Sequence, residues 1–184
     1  MTKHLLILVV ACLLAGCGKI VSSETILRRP DHPPHAVIIL GPEQPFMTEV
    51  DRDGLNSALK AEFERCGLVA AVFSPDPLTL DPGKDRAHYL TLRQSIHADW
   101  TFTYRPRAVT TEHGISTAYL EAFVIDAHNS PIWVANFSML INGLSYTDVI
   151  GRELVNHIAQ AGLLGDCKPA PPIDHTQHDR QTRP

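Results

Sequence analysis

Ala36-Val37-Ile38-Ile39-Leu40, stopped by Gly41-Pro42, is the stretch that decides the architecture of this chain. A short continuous apolar run between turn residues is the pattern of a strand buried on both faces, and such a strand belongs at the centre of a sheet. Working outward, Asp51 or Asp53 can cap a helix that runs to Cys66, with Leu55, Ala58, Leu59, Glu62, Phe63 and Cys66 at helical spacing. Only Glu62 breaks the apolar theme, and Gly67 ends the helix. Leu68 to Phe73 reads as a second buried strand, ended by Ser74-Pro75-Asp76-Pro77.

A proline-rich loop over residues 75–86 then leads to a short helix at about Ala87 to Ile96, whose face is Tyr89, Leu92 and Ile96. Ala98 to Tyr104 alternates as a strand, with Trp100, Phe102 and Tyr104 on one side, and Arg105-Pro106-Arg107 is expected to break it. Thr117 to Asp126 and Ile132 to Leu140 form a hairpin around a polar loop. Ser145 and Asp148 resemble a capping box for a last helix with Ile150, Leu154, Ile158 and Ala161 on its apolar stripe, stopped by Gly165.

The predicted fold is therefore α/β (α+β): a single mixed five-stranded sheet with two long helices packed on one face, plus a short helix. The first two strands can run parallel through a right-handed crossover, and the last three form an antiparallel meander. Residues 35–167 make up this domain. Residues 17–34 carry Ser22, Ser23, Arg28, Arg29, Pro30, Pro33 and Pro34 with little apolar periodicity and read as a tether reaching under about 60 Å. Residues 168–184 are proline-rich and polar and read as a disordered tail.

The amino terminus reads as an address. Lys3 supplies a positive n-region, Leu5 to Leu14 is an apolar h-region too short for a comfortable span, and small residues lead to one cysteine. Leu14-Ala15-Gly16-Cys17 resembles the lipobox of bacterial lipoproteins. That resemblance implies a signal peptide over residues 1–16 and a mature protein beginning at Cys17, which carries a diacylglyceryl group and an N-acyl chain such as palmitate. Several chains on one residue make such an anchor effectively permanent. Gly18, where an aspartate would favour inner-membrane retention, implies the outer membrane, periplasmic face.

Removing residues 1–16 takes Lys3 from the 16 basic residues and leaves 15 against 20 acidic ones, a net charge of −5 with His neutral. No basic field gathers phosphate backbones, so nucleic acid is not expected as a partner. With Cys12 lost and Cys17 lipidated, Cys66 and Cys167 remain, each just past a helix end. In an oxidising compartment they read as a disulfide, two separate buried thiols being the alternative.

Gly54-Leu55-x-x-Ala58-Leu59-x-x-x-Phe63 leading to Gly67-Leu68-Val69, followed by a hairpin whose second strand carries Trp133, makes the chain similar to small α/β domains of envelope lipoproteins. It resembles the lipoprotein activators of penicillin-binding proteins and the amino-terminal domain of the periplasmic Tol translocation protein. The resemblance implies contact with another envelope protein and no catalysis. It carries no contact residue across; the chain itself offers Trp100, Trp133, Arg105 and Arg107 as a partner-binding patch if a tryptophan projects from the uncovered face or edge of the sheet, the core being the default place for such large aromatics.

No G-x-S-x-G elbow, phosphate-cradling glycine loop or dinucleotide fingerprint occurs, so an enzyme is not expected. Asp51-Arg52-Asp53-Gly54 lacks the downstream ligands of a calcium loop and reads as a turn and helix cap. The second functional reading is a zinc- or copper-binding lipoprotein, because His32 and His35, and His175 and His178, are paired three residues apart beside carboxylates. No other cofactor is expected.

Overall fold

The computed structural model describes residues 20–41, 48–75, 82–113, 115–141 and 147–171. These form six strands and three helices in the order β1 (Val21–Ile26), β2 (Ala36–Leu40), α1 (Glu49–Arg65), β3 (Val69–Phe73), α2 (Pro82–Ser95), β4 (Trp100–Glu112), β5 (Ile115–Ile125), β6 (Pro131–Ile141) and α3 (Thr147–Gln160). The single mixed sheet has the strand order β1-β6-β5-β4-β2-β3. β2 pairs parallel with both β3 and β4, and the β4-β5-β6 meander and β1 are antiparallel.

Three expectations are corrected. The sheet has six strands because the tether is not free: Val21–Ile26 pairs with β6, from Val21 opposite Phe137 to Ile26 opposite Trp133. Glu24 on this strand accepts from Trp133 Nε1 at 3.3 Å, and His157 Nδ1 of α3 lies 3.2 Å from the same carboxylate. Residues 27–35 then run along the end of the sheet, held by Leu27 N–H to Ile132 O (2.9 Å), by Arg29 to Ala161 O (3.2 Å) and by His35 N–H to Asp99 (2.6 Å). Secondly, β4 runs through Arg105-Pro106-Arg107 to Glu112. Pro106 is tolerated because the register slips by one residue between Pro106 and Ala108, and because β2 pairs with β4 only as far as Thr103. Thirdly, residues 168–171 are pinned. Ala170 N–H and O bond Asn156 at 2.7 and 3.0 Å, and Arg65 donates to Lys168 O at 3.0 Å.

The helices are set by their ends. Thr48, not Asp51 or Asp53, caps α1: its hydroxyl accepts from Asp51 N–H at 3.1 Å and donates to the Asp51 carboxylate at 2.7 Å. Asp51 to Gly54 are therefore the first turns of a helix rather than a loop. Each helix closes with the paired 6→1 and 5→2 backbone bonds of a Schellman motif, around Gly67, His97 and Gly162, all at positive φ. The last of these corrects the expected stop at Gly165; Leu163 and Leu164 turn back into the core, 1% and 4% exposed. The expected cap Ser145 lies outside the described residues.

α1 and α3 lie parallel on one face of the sheet, in contact along their length. Gly151 permits that approach, since a Cβ there would meet Ala58 Cβ at 2.7 Å. Glu62, the charged residue on the apolar stripe, bridges the pair by accepting from Arg65 (2.6 Å) and Arg152 (3.0 Å). Beneath them the main core gathers Leu55, Leu59 and Phe63 of α1, Leu154 and Ile158 of α3, and the inward residues of all six strands. α2 crosses the opposite face, where Tyr89, Leu92 and Ile96 cover Ala36, Ile38, Phe73 and Ala98. α1 and α3 thus share one face, and α2 takes the other; expected as a short helix from Ala87 after a loop over 75–86, it starts at Pro82 and at 14 residues is as long as α3, because Pro82 is well placed in the first turn of a helix.

Candidate functional site

β4, β5 and β6 reach past α2, and none of the described helices covers their outer face there. The strand period puts Ala118, Leu120, Ala122 and Val124 of β5 into the core and leaves Tyr119, Glu121 and Phe123 outside. Register then builds a polar row straight across four strands: Arg105 opposite Glu121, Glu121 opposite Asn136, and Asn136 opposite Ser23. Arg105 donates through Nε and a terminal nitrogen to Glu121 Oε2 at 2.8 and 2.6 Å. Its guanidinium also lies 4.8 Å from the centre of the Phe123 ring. Arg107 donates to Asn136 Oδ1 at 2.9 Å, and Asn136 Nδ2 donates to Ser23 Oγ at 2.8 Å.

The row is fixed at one end and open at the other. Glu121 is 13% exposed and holds two arginines that are 66% and 57% exposed, so both cations face solvent in defined positions. Tyr119, 45% exposed, stands one step along β5 on the same face. A flat surface of aromatic rings and oriented guanidiniums can recognise carboxylates and apolar side chains of another protein.

Arg105 and Arg107 are therefore brought together. Trp100 and Trp133 are not with them: they point to the opposite face and are 2% and 0% exposed, so both leave the expected partner-binding patch for the core. Glu121, Phe123, Tyr119 and Asn136 were missed: from Thr117 to Val124 only Thr117 and Glu121 mark the outward face by polarity, while Tyr119 and Phe123 are as apolar as the inward residues beside them.

Cys66 and Cys167 are joined by a disulfide across the carboxyl ends of α1 and α3, with their Cα atoms 5.0 Å apart. Cys17, His175 and His178 lie outside the described residues. His32 and His35 are exposed, and among the described residues no three His, Cys, Asp or Glu side chains are grouped as a metal site requires.

The described residues also form an open polar cleft of about 300 Å³ at the opposite end of the sheet from the β4-β5 turn, lined by Arg28, His32, Asp99, Trp100, Asp126 and His128 among others. Two of its carboxylates are engaged with backbone. Asp99 accepts from His35 and Ala36 N–H at 2.6 and 3.3 Å; Asp126 accepts from His128 and Ser130 N–H at 2.8 and 2.9 Å and pairs with Arg28. Such side-chain-to-backbone bonds fix a turn or a strand end.

Among the described residues, Tyr104 is the strongly perturbed group. Burial pushes its phenol far above the ordinary range, opposed by the smaller attraction of Arg52, and its hydroxyl donates to buried Asn56 Oδ1 at 3.2 Å.

No family model matches this sequence, and no curated protein matches it. Among solved structures, the chain is similar to the PelC dodecamer from Paraburkholderia phytofirmans at 13% identity, covering 77% of this chain and 95% of that one, with a TM-score of 0.45. It is similar to the lipoprotein GNA1162 from Neisseria meningitidis at 11% identity, covering 70% and 99%, with a TM-score of 0.41. The hypothetical protein CT253 from Chlamydia trachomatis matches at 8% identity, covering 70% and 98%, with a TM-score of 0.39. No described helix is long and apolar enough to cross a membrane.

Proposed function

We propose that this protein is a non-catalytic binding or assembly module of the bacterial cell envelope, anchored through lipid on Cys17 at the periplasmic face of the outer membrane. It docks an envelope protein on the open face of its sheet. The observation that carries this reading is the Arg105-Glu121-Asn136-Ser23 row, with Phe123 and Tyr119 beside it, on a face that none of the described helices covers there. The lipobox-like Leu14-Ala15-Gly16-Cys17 supports the address. The hydrogen-bonded carboxylates of the polar cleft support a structural use of its acidic groups.

Photo-crosslinking in cells tests it. A crosslinker replacing Tyr119 is expected to capture an envelope protein, and one replacing Lys60 on the outer side of α1 is not. The Arg105→Ala, Arg107→Ala double variant should lose the adduct while remaining folded. Equal capture from both positions, or none from 119, overturns the docking face. Cys17→Ala should abolish labelled palmitate incorporation and release the protein from the membrane fraction; wild-type protein without palmitate overturns the anchor.

A further inference from the structure

We infer that the β4-β5 hairpin end of the sheet is the membrane-facing surface, resting on the lipid headgroup layer that holds the Cys17 anchor; this rests on the lipid attachment proposed above. Capture of residues 21–26 by the sheet shortens the leash. Ile20 is already fixed, its carbonyl accepting from Ser138 N–H at 3.0 Å, so only three peptide steps separate the sheet from Cys17. At full extension they span at most about 10 Å.

The direction of β1 decides which end is tied down. Being antiparallel to β6, it starts beside Phe137 and runs away from the hairpin, so the anchored residues emerge at the hairpin end. Ser138 is level with Tyr119, and β5 extends four residues beyond, to Ile115, a further ~14 Å. Strand twist of roughly 20–25° per strand over the two steps from β1 to β5 reduces this to about 10 Å along the leash. The hairpin end therefore stands as far from Ile20 as the leash allows the lipid to stand. When the acyl chains are in the bilayer, the hairpin reaches the headgroups.

Its chemistry suits that layer. Thr110 and Thr117 supply hydroxyls that can donate to phosphate and ester oxygens, as does whichever of Thr111 and Ser116 accepts in the 2.9 Å hydrogen bond between them, Val109 is exposed, and Glu112 is the one formal charge from residue 108 to 117. This is a surface for lying against headgroups rather than for entering the hydrocarbon. Pairing of another strand along the free edge of β4 is opposed by Pro106, the bulge and two arginines. The open face of the sheet, standing upright on the bilayer, stays accessible to a protein partner.

The test uses lipidated full-length mature protein, its acylation verified by mass, in phosphatidylethanolamine–phosphatidylglycerol vesicles containing a headgroup-nitroxide lipid. A fluorophore at Thr110→Cys is expected to be quenched several-fold more than one at His128→Cys, in the turn at the far end. Inserting about ten Gly and Ser residues between Gly18 and Lys19, which lengthens the leash by more than its present span, should bring the two signals together. Equal quenching in the uninserted protein, or persistence of the difference after insertion, overturns the orientation while leaving the anchor standing. A mass without acyl chains overturns both.

Discussion

The two faces of one sheet are stabilised by different physics. Under α1 and α3, apolar residues from six strands and two helices exclude water. On the other face α2 covers a small satellite around Phe73, and the rest is a solvated lattice of Arg105, Glu121, Asn136 and Ser23 tied by register. The first face can be altered only at the cost of folding. The second contributes little to stability and is where surface chemistry is free to serve recognition.

Phe63→Ala is the strongest blow to that contrast. Phe63 is fully buried and packs edge-on to Phe102 at 5.8 Å, so truncation should cost about 3–5 kcal/mol in urea unfolding. Phe123→Ala on the open face should cost well under half as much; equal losses would erase the distinction. Replacing Cys66 and Cys167 together by Ala comes next. Their bond spans a sequence separation of 101, and its loss should cost about 2–5 kcal/mol, read as a lowered unfolding midpoint that reductant no longer shifts.

Tyr104 sharpens the comparison by pH. Its phenol holds its proton more tightly folded than unfolded, so its stabilising contribution is complete below the unfolded value of about 10 and falls as pH rises beyond it, by about 1.4 kcal/mol per unit. Tyr104→Phe should flatten that alkaline decline relative to wild type. An unchanged slope would place the titrating group elsewhere. The smallest effect is Arg105→Ala. The side chain is 66% exposed and its ion pair is screened by solvent, so stability should change by under about 1 kcal/mol while partner capture is lost.

Much of the fold could be read because burial leaves a period. Ala36 to Leu40, the stripe from Leu55 to Phe63 and the stripe from Ile150 to Ile158 each announce an element through apolar spacing. β1 could not be read, since Val-Ser-Ser-Glu-Thr-Ile has a single residue facing the core and is held by backbone pairing to β6. Arg105-Pro106-Arg107 misleads for a related reason: a proline ends a central strand but is harmless at a bulge on a free edge. Trp100 and Trp133 could have faced either way, and only the register put them inward.

Sequence by itself determined the central strand, the apolar stripes of α1 and α3 and the cysteines available to pair, because each is a local pattern of side-chain chemistry. Tertiary structure alone decided that the supposed tether is an edge strand, that four polar residues from four strands form one row, and that β1 starts toward the end of the sheet where β4 turns into β5. Those are matters of register and direction. They depend on which backbone groups meet across the sheet, and backbone hydrogen bonds carry no side-chain signature.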